Sequence, residues 1–421
     1  MTALIELQDQ NIRISTPEGL LLESPGFANT FSKQPVYGEE ALKLTRLHPQ
    51  ENFNQFWSQL SLDPLVKKNR HFRHQADLAY GHLNTLLTEL KLQGEAVFAV
   101  PSHYSGNQLA TLLGLVKHCP IEPVGLVDLS LLALAELQEH QHAVFMDIQL
   151  HQTVLTRVVR EQGEIVREKV VSVPGAGLLA LQDTWANTIT DAFIKQSRFD
   201  PLHNADTEQY LYNELHQWLK RVSSQQEIQI EINNKGTVHQ ASLTLKSFQQ
   251  RAQTIYRRVL QELEAMSADN SPVFARAGNT ALPGIDLALP QLFAVPEDSM
   301  TRHAYQHLER IKSSGDALRL IARLPLPEPK TQDRSKASSA GRPSHFLFRH
   351  RAYALPTINP PALNLRSPIT VSLQEQGYCL HNNPDLDLQL NGSPLTEPAV
   401  LKLGDRLTVN NDATIEFIQV Q

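Results

Sequence analysis

Cysteine is nearly absent. Cys119 and Cys379 are the only two in 421 residues. Two thiols so far apart in sequence make no disulfide framework, and a reducing cytoplasm fits that usage best. A basic surplus is missing as well: the formal charge is −6, whereas nucleic-acid binding draws on a basic face or domain. No stretch approaches the roughly 20 apolar residues of a membrane span. The start, Met1-Thr2-Ala3-Leu4-Ile5-Glu6, has neither the basic region nor the apolar run of a signal peptide. Ser102-His103-Tyr104-Ser105 lacks the Gly-x-Ser-x-Gly turn of a nucleophile elbow. His140 and His142 have no Cys or further His at ligand spacing, so no metal site is expected. The basic stretch Lys67-Lys68-Asn69-Arg70-His71-Phe72-Arg73-His74 reads as a solvated loop or helix start rather than a nucleic-acid contact. These absences leave a cytoplasmic protein with protein partners, no nucleic acid and no membrane insertion.

What is present is an α/β pattern long enough for two or three domains. Residues 72–92 predict a helix, with Leu78, Leu83, Leu86, Leu87 and Leu90 at helical spacing. Residues 95–101 predict a buried strand, and helix, strand and helix follow over 107–117, 124–127 and 129–137. Residues 142–153 read as a buried strand entering a hairpin. Helices are expected over 177–195, 206–222 and 246–266, and strands over 227–232, 238–245 and 273–275. Gly175-Ala176-Gly177 precedes a helix, either as a tight turn or as an anion site at the helix N-terminus. Residues 323–343 are rich in proline, then in serine and alanine without apolar period, and predict a flexible linker. Residues 344–421 predict short strands separated by turns such as Asn391-Gly392 and Leu403-Gly404-Asp405.

Several segments together resemble a known family, in the family's order. Tyr37-Gly38-Glu39-Glu40-Ala41 with His48-Pro49-Gln50-Glu51-Asn52 resembles "Gly-Glu-x-Ala … Asn-Pro-x-Asn-Thr". Ala96 to Pro101 with Tyr104, Gln108 and Ala110 resembles "Val-Pro-Ala-Tyr-Phe … Gln-Arg-x-Ala". Residues 127–135 stand where the family has "Asn-Glu-Pro-Thr-Ala-Ala-Ala-Leu-Ala". Lys220-Arg221-Val222-Ser223-Ser224 resembles "Lys-Arg-x-Leu-Ser-Ser", and Ala277-Gly278-Asn279-Thr280-Ala281-Leu282-Pro283 resembles the adenosine loop "Gly-Gly-Ser-Thr-x-x-Pro". The series over residues 1–322 resembles the nucleotide-binding domain of the seventy-kilodalton heat-shock chaperones, in the actin-like ATPase superfamily. That resemblance implies a two-lobed fold of ribonuclease-H-like sheets, with one lobe over about 1–140 and the other over about 141–322. It implies ATP and Mg²⁺ as the family's cofactors. Gly278, Asn279, Thr280, Pro283, Thr153 and Lys220 would lie at the nucleotide, and Asp147, Glu6 and Asp128 would be the carboxylates that orient metal and water. The bland alternative makes those three acids caps of strand-end turns.

The chain departs from the family where the chemistry is done. Gln8 stands at the glycine of the first phosphate hairpin, and Gln149 and Leu150 stand at glycine positions of the second. Glycine lets backbone N–H groups close on phosphate. The region of the family's lysine, residues 52–59, holds no cation. The expectation is a pseudo-ATPase with no assigned cofactor, and the alternative is a slowly hydrolysing ATP switch. Leu390-Asn391-Gly392 with Leu401 to Leu407 and Phe417-Ile418 resembles the last strands of a forkhead-associated β-sandwich. The Gly-Arg and Ser-x-x-His turns of phosphothreonine-binding members are missing, and His345, Arg349 and Arg351 lack that spacing. A protein-binding sandwich is therefore expected.

Overall fold

The computed structural model describes residues 2–326 except 66–68, 70, 137–139, 267–270 and 313–317. It also describes residues 343–419 except 349–350, 357, 359–368, 375–376, 384–385, 396 and 411–412. Most of the expected linker, and Lys67, Lys68, Arg70 and Arg349 of the basic segments, lie outside these residues. The chain divides into two units, Met1–Pro329 and Lys330–Gln421. It is a mixed α/β protein with several sheets.

Apolar runs build the first sheet. Val97–Val100 and Leu126–Val127 are buried on both faces, as parallel strands covered by helices must be. The strand order is Leu320–Ile321, Ile121–Asp128, Gly94–Val100, Ala3–Glu6, Ile12–Thr16, Gly19–Ser24. Ala3–Glu6 opens an antiparallel meander on one side and pairs in parallel with Gly94–Val100 on the other. The second sheet repeats this pattern. Its order is Leu292–Val295, Val273–Arg276, His142–Ile148, Gln152–Glu161, Glu164–Pro174, Arg323–Pro325. His142–Ile148 opens the meander and runs parallel to Val273–Arg276.

Helices cover the sheets by the faces their periodicity dictates. Gln75–Glu89 buries Leu78, Leu83, Leu86 and Leu87 against Ile5 and Phe98. Leu245–Met266 buries Phe248, Ala252, Tyr256, Val259 and Leu263 in one core with helices Leu178–Ser197 and Ala205–Gln225. A third core joins the two sheets directly, with Leu4, Val97 and Val127 of the first against Phe145, Val158 and Ile165 of the second. The hairpin Glu227–Asn234/Thr237–Thr244 alternates as expected, burying Ile228, Ile230 and Ile232. Its two-residue turn puts Lys235 at φ 50° and Gly236 at φ 88°, the left-handed pair that favours glycine.

Two boundaries differ from expectation. Residues 323–325 were expected in the linker, but they pair as a strand with Glu164–Val166, and Leu324 is fully buried. Proline is tolerated there because Pro325 ends a strand at the sheet's edge. Residues 320–321 fall within the second lobe that the resemblance implies, but they extend the first sheet. One short segment thus edges both sheets. The expected helix over 129–137 is short, Leu129–Ala133.

The Lys330–Gln421 unit contains a six-stranded and a three-stranded sheet, both antiparallel wherever their strands pair among the described residues. Phe346, Leu407 and Phe417 of the larger sheet share a core with Val371 and Leu380 of the smaller. His345–Phe348, Arg351–Ala354 and Arg406–Val409 are three of the larger sheet's strands.

Candidate functional site: a buried carboxylate and amide network

Glu6, Asp128 and Arg276 each end a strand of the parallel part of a sheet, and Asp147 stands one residue before such an end. The carboxyl ends of parallel strands are where α/β folds place their crevices. Here the crevice floor is filled by side chains of the protein itself.

Asp147 is buried, and both of its oxygens are taken by amides. Gln8 Nε2 donates to Oδ1 at 2.7 Å and also reaches Ile148 O at 3.0 Å. Gln149 Nε2 donates to Oδ2 at 2.8 Å. Gln152 Nε2 donates to Gln149 Oε1 at 3.1 Å and lies 3.1 Å from His103 Nε2, which must accept. The proton of His103 then sits on Nδ1. Burial pushes this imidazole down to about 4, so it is neutral at pH 7. Burial pushes Asp147 above the usual carboxylate range, against Arg276 and the two glutamine amides.

Three further contacts tie the sheets together. Leu150 N–H donates to Asp9 Oδ1 at 2.8 Å. Burial, then the nearby Asp147 charge, raises Asp9 to about 7 against the Leu150 hydrogen bond, and its Oδ2 is buried without a partner. Arg276 Nη2 holds Glu6 Oε2 at 2.7 Å, and Glu6 is 1% exposed. Arg167 Nη1 holds Asp128 Oδ2 at 2.7 Å. Asp128 Oδ1 also accepts from Ser102 Oγ, Ser130 N and Ser130 Oγ. Asp128 is therefore the cap of helix Leu129–Ala133 as well as an ion-pair partner.

The hairpin amides are turned inward too. Gln149 N–H donates to Gln152 O, Leu178 N–H to Gln149 O and Leu179 N–H to Leu150 O. The first amides of helix Leu178–Ser197 are spent on the hairpin, so Gly175-Ala176-Gly177 is a tight turn and not an anion site. Leu150 is buried in a small apolar cluster with Phe27 and Ala41. A Cβ on Gly177 would stand 2.5 Å from Gln152 N and from Leu150 O. Gly177→Ala is expected to cost about 1–3 kcal/mol, as overpacking against backbone does; urea unfolding measures it.

A cleft of about 1290 Å³ lies above this floor, lined among others by Gln8, Trp185, Arg276, Gly278, Asn279 and Leu282. Of the residues expected at a nucleotide, Gly278 and Asn279 thus border the cleft. Thr280 turns its hydroxyl to Ala277 O, and Pro283 is buried with its carbonyl accepting from Tyr256. Thr153 is buried, donating to Ala176 O. Lys220 is exposed on helix Ala205–Gln225 and is not in the cleft wall. Among the described residues, no group of three or more His, Cys, Asp or Glu is placed to hold a metal ion.

Asp9, Arg167, Arg276, Gln152 and His103 were not expected as parts of one site. Arg276 follows an expected strand, and Gln152 lies in the expected hairpin. No protein-family model matches this chain, and no curated protein matches it.

Proposed function

We propose that the Met1–Pro329 unit is a degenerate relative of the heat-shock chaperone nucleotide domain, of two-lobed actin-like fold, that holds a protein partner without hydrolysing ATP. Residues 344–421 serve in this proposal as a second docking module, a forkhead-associated-like β-sandwich. The repeated meander-plus-parallel pattern of the two sheets supports the first part. The core shared by two antiparallel sheets supports the second.

One observation carries the non-catalytic reading. Asp147, at the second hairpin, has both of its oxygens engaged by the amides of Gln8 and Gln149. Glu6 and Asp128 are held by arginines. Loss of a single electrostatic stabiliser typically costs about 10²–10³ in rate, and here the glycine cradles and the family's lysine are missing together. The remaining cleft beside Gly278 and Asn279 is the one feature that favours the alternative, a slow ATP-driven switch.

Phosphate release from ATP and Mg²⁺ tests the reading. The expected rate is that of buffer, unchanged by Asp147→Asn. A rate well above background that Asp147→Asn abolishes would assign the chain to the switch. A partner recovered with the full chain is expected to stay bound when Mg-ATP is added.

A further inference from the structure

Above the cleft, the segment around Thr45 meets helix Ala205–Gln225 through one buried side chain. Gln209 is 4% exposed. Its Oε1 accepts from Arg46 N–H at 2.8 Å, and its Nε2 donates to Leu42 O at 3.2 Å and to Asn213 Oδ1 at 2.8 Å. The Arg46 guanidinium pairs with Asp183 at 3.0 Å and Glu208 at 3.3 Å, and lies 3.7 Å over the Tyr212 ring. At the floor, Gln8 and Asp9 of the first hairpin bind Asp147, Ile148 O and Leu150 N–H of the second. The cleft is therefore bridged at both ends by groups that have found their partners within the chain.

We infer that this domain is held closed by its own side chains, with Gln209 and Arg46 as a roof clasp and Gln8 and Asp9 as a floor clasp, so that closure requires no ligand. On opening, the Gln209 amide would exchange its protein partners for water, a net loss for each hydrogen bond given up. The half-buried Arg46 ion pairs, with Asp183 on the solvent side, add less. Closure of this kind rests on the two-lobed domain proposed above, but not on its role as a scaffold.

Two cross-cleft amides report on it directly. Arg46 N–H reads the roof and Leu150 N–H reads the floor. In hydrogen exchange on the ligand-free full chain, both are expected to be strongly protected, and saturating Mg-ATP is expected to leave both unchanged. Gln209→Ala is expected to speed Arg46 exchange by about tenfold or more, as loss of a buried acceptor allows local opening. Should that variant fail to fold, Arg46→Met removes the ion pairs and keeps the backbone N–H. It is expected to speed the same amide several-fold, and an unchanged rate overturns the inference. Exchange of both amides near the rate of unstructured chain, or protection that arises only with Mg-ATP, overturns it as well.

Discussion

Asp9→Asn is expected to stabilise the Met1–Pro329 unit above pH 7 by on the order of 4 kcal/mol, and to do nothing for it below about pH 4. The Asp9 carboxyl is buried, and its folded value is about 7 against an ordinary 3.8. Between those values the folded chain holds a proton that the unfolded chain has lost. Stability therefore falls as pH rises through this window, and the penalty is complete above pH 7. About three pH units at 1.36 kcal/mol each give the figure. Asparagine keeps the Oδ1 that accepts from Leu150 N–H and carries no charge, so its stability profile lacks that slope. Trp57, Trp185 and Trp218, the only tryptophans, all lie in this unit, so tryptophan fluorescence during urea unfolding at pH 4 to 8 follows it selectively. Parallel profiles for the two proteins would show that Asp9 does not titrate in this range.

Arg276→Met should act in the opposite direction, destabilising the same unit by about 3–5 kcal/mol at pH 7, the usual cost of leaving one member of a buried ion pair alone. Glu6 is 1% exposed, and Arg276 is the only cation paired with it in the described residues. Arg276 also draws Asp147 downward, so its loss compounds the burial of that second carboxylate. Pairing Arg276→Met with Glu6→Gln should recover more than half of the loss, because the uncompensated charge is then gone. A single-variant effect within 1 kcal/mol would mean that the pair behaves as an exposed one.

The elements that sequence made legible are those whose information is local. The leucines of Gln75–Glu89 and the isoleucines of Glu227–Asn234 mark a buried face by spacing alone, and Lys235-Gly236 marks its turn by backbone requirement. Glu164–Pro174 was not expected. Its charged residues Glu164, Arg167, Glu168 and Lys169 interrupt the apolar alternation, and its pairing with Arg323–Pro325 depends on a proline-flanked segment that reads as linker.

The site divides in the same way. The bulky residues at 8, 149 and 150 are visible in sequence, and so is the inference that they crowd a phosphate. Their destinations are not visible. Gln8 meets Asp147 across 139 residues and Arg276 meets Glu6 across 270. No period or motif encodes those pairings, which arise only when the two sheets stack on Leu4, Val97, Phe145 and Val158.

The claim that the chain's own amides occupy the phosphate end of the cleft is tested most directly by calorimetric titration of the full chain with ATP and Mg²⁺. Only heat of dilution is expected. One-to-one binding that requires the triphosphate and Mg²⁺, and that is weakened by Asp147→Asn, would contradict it.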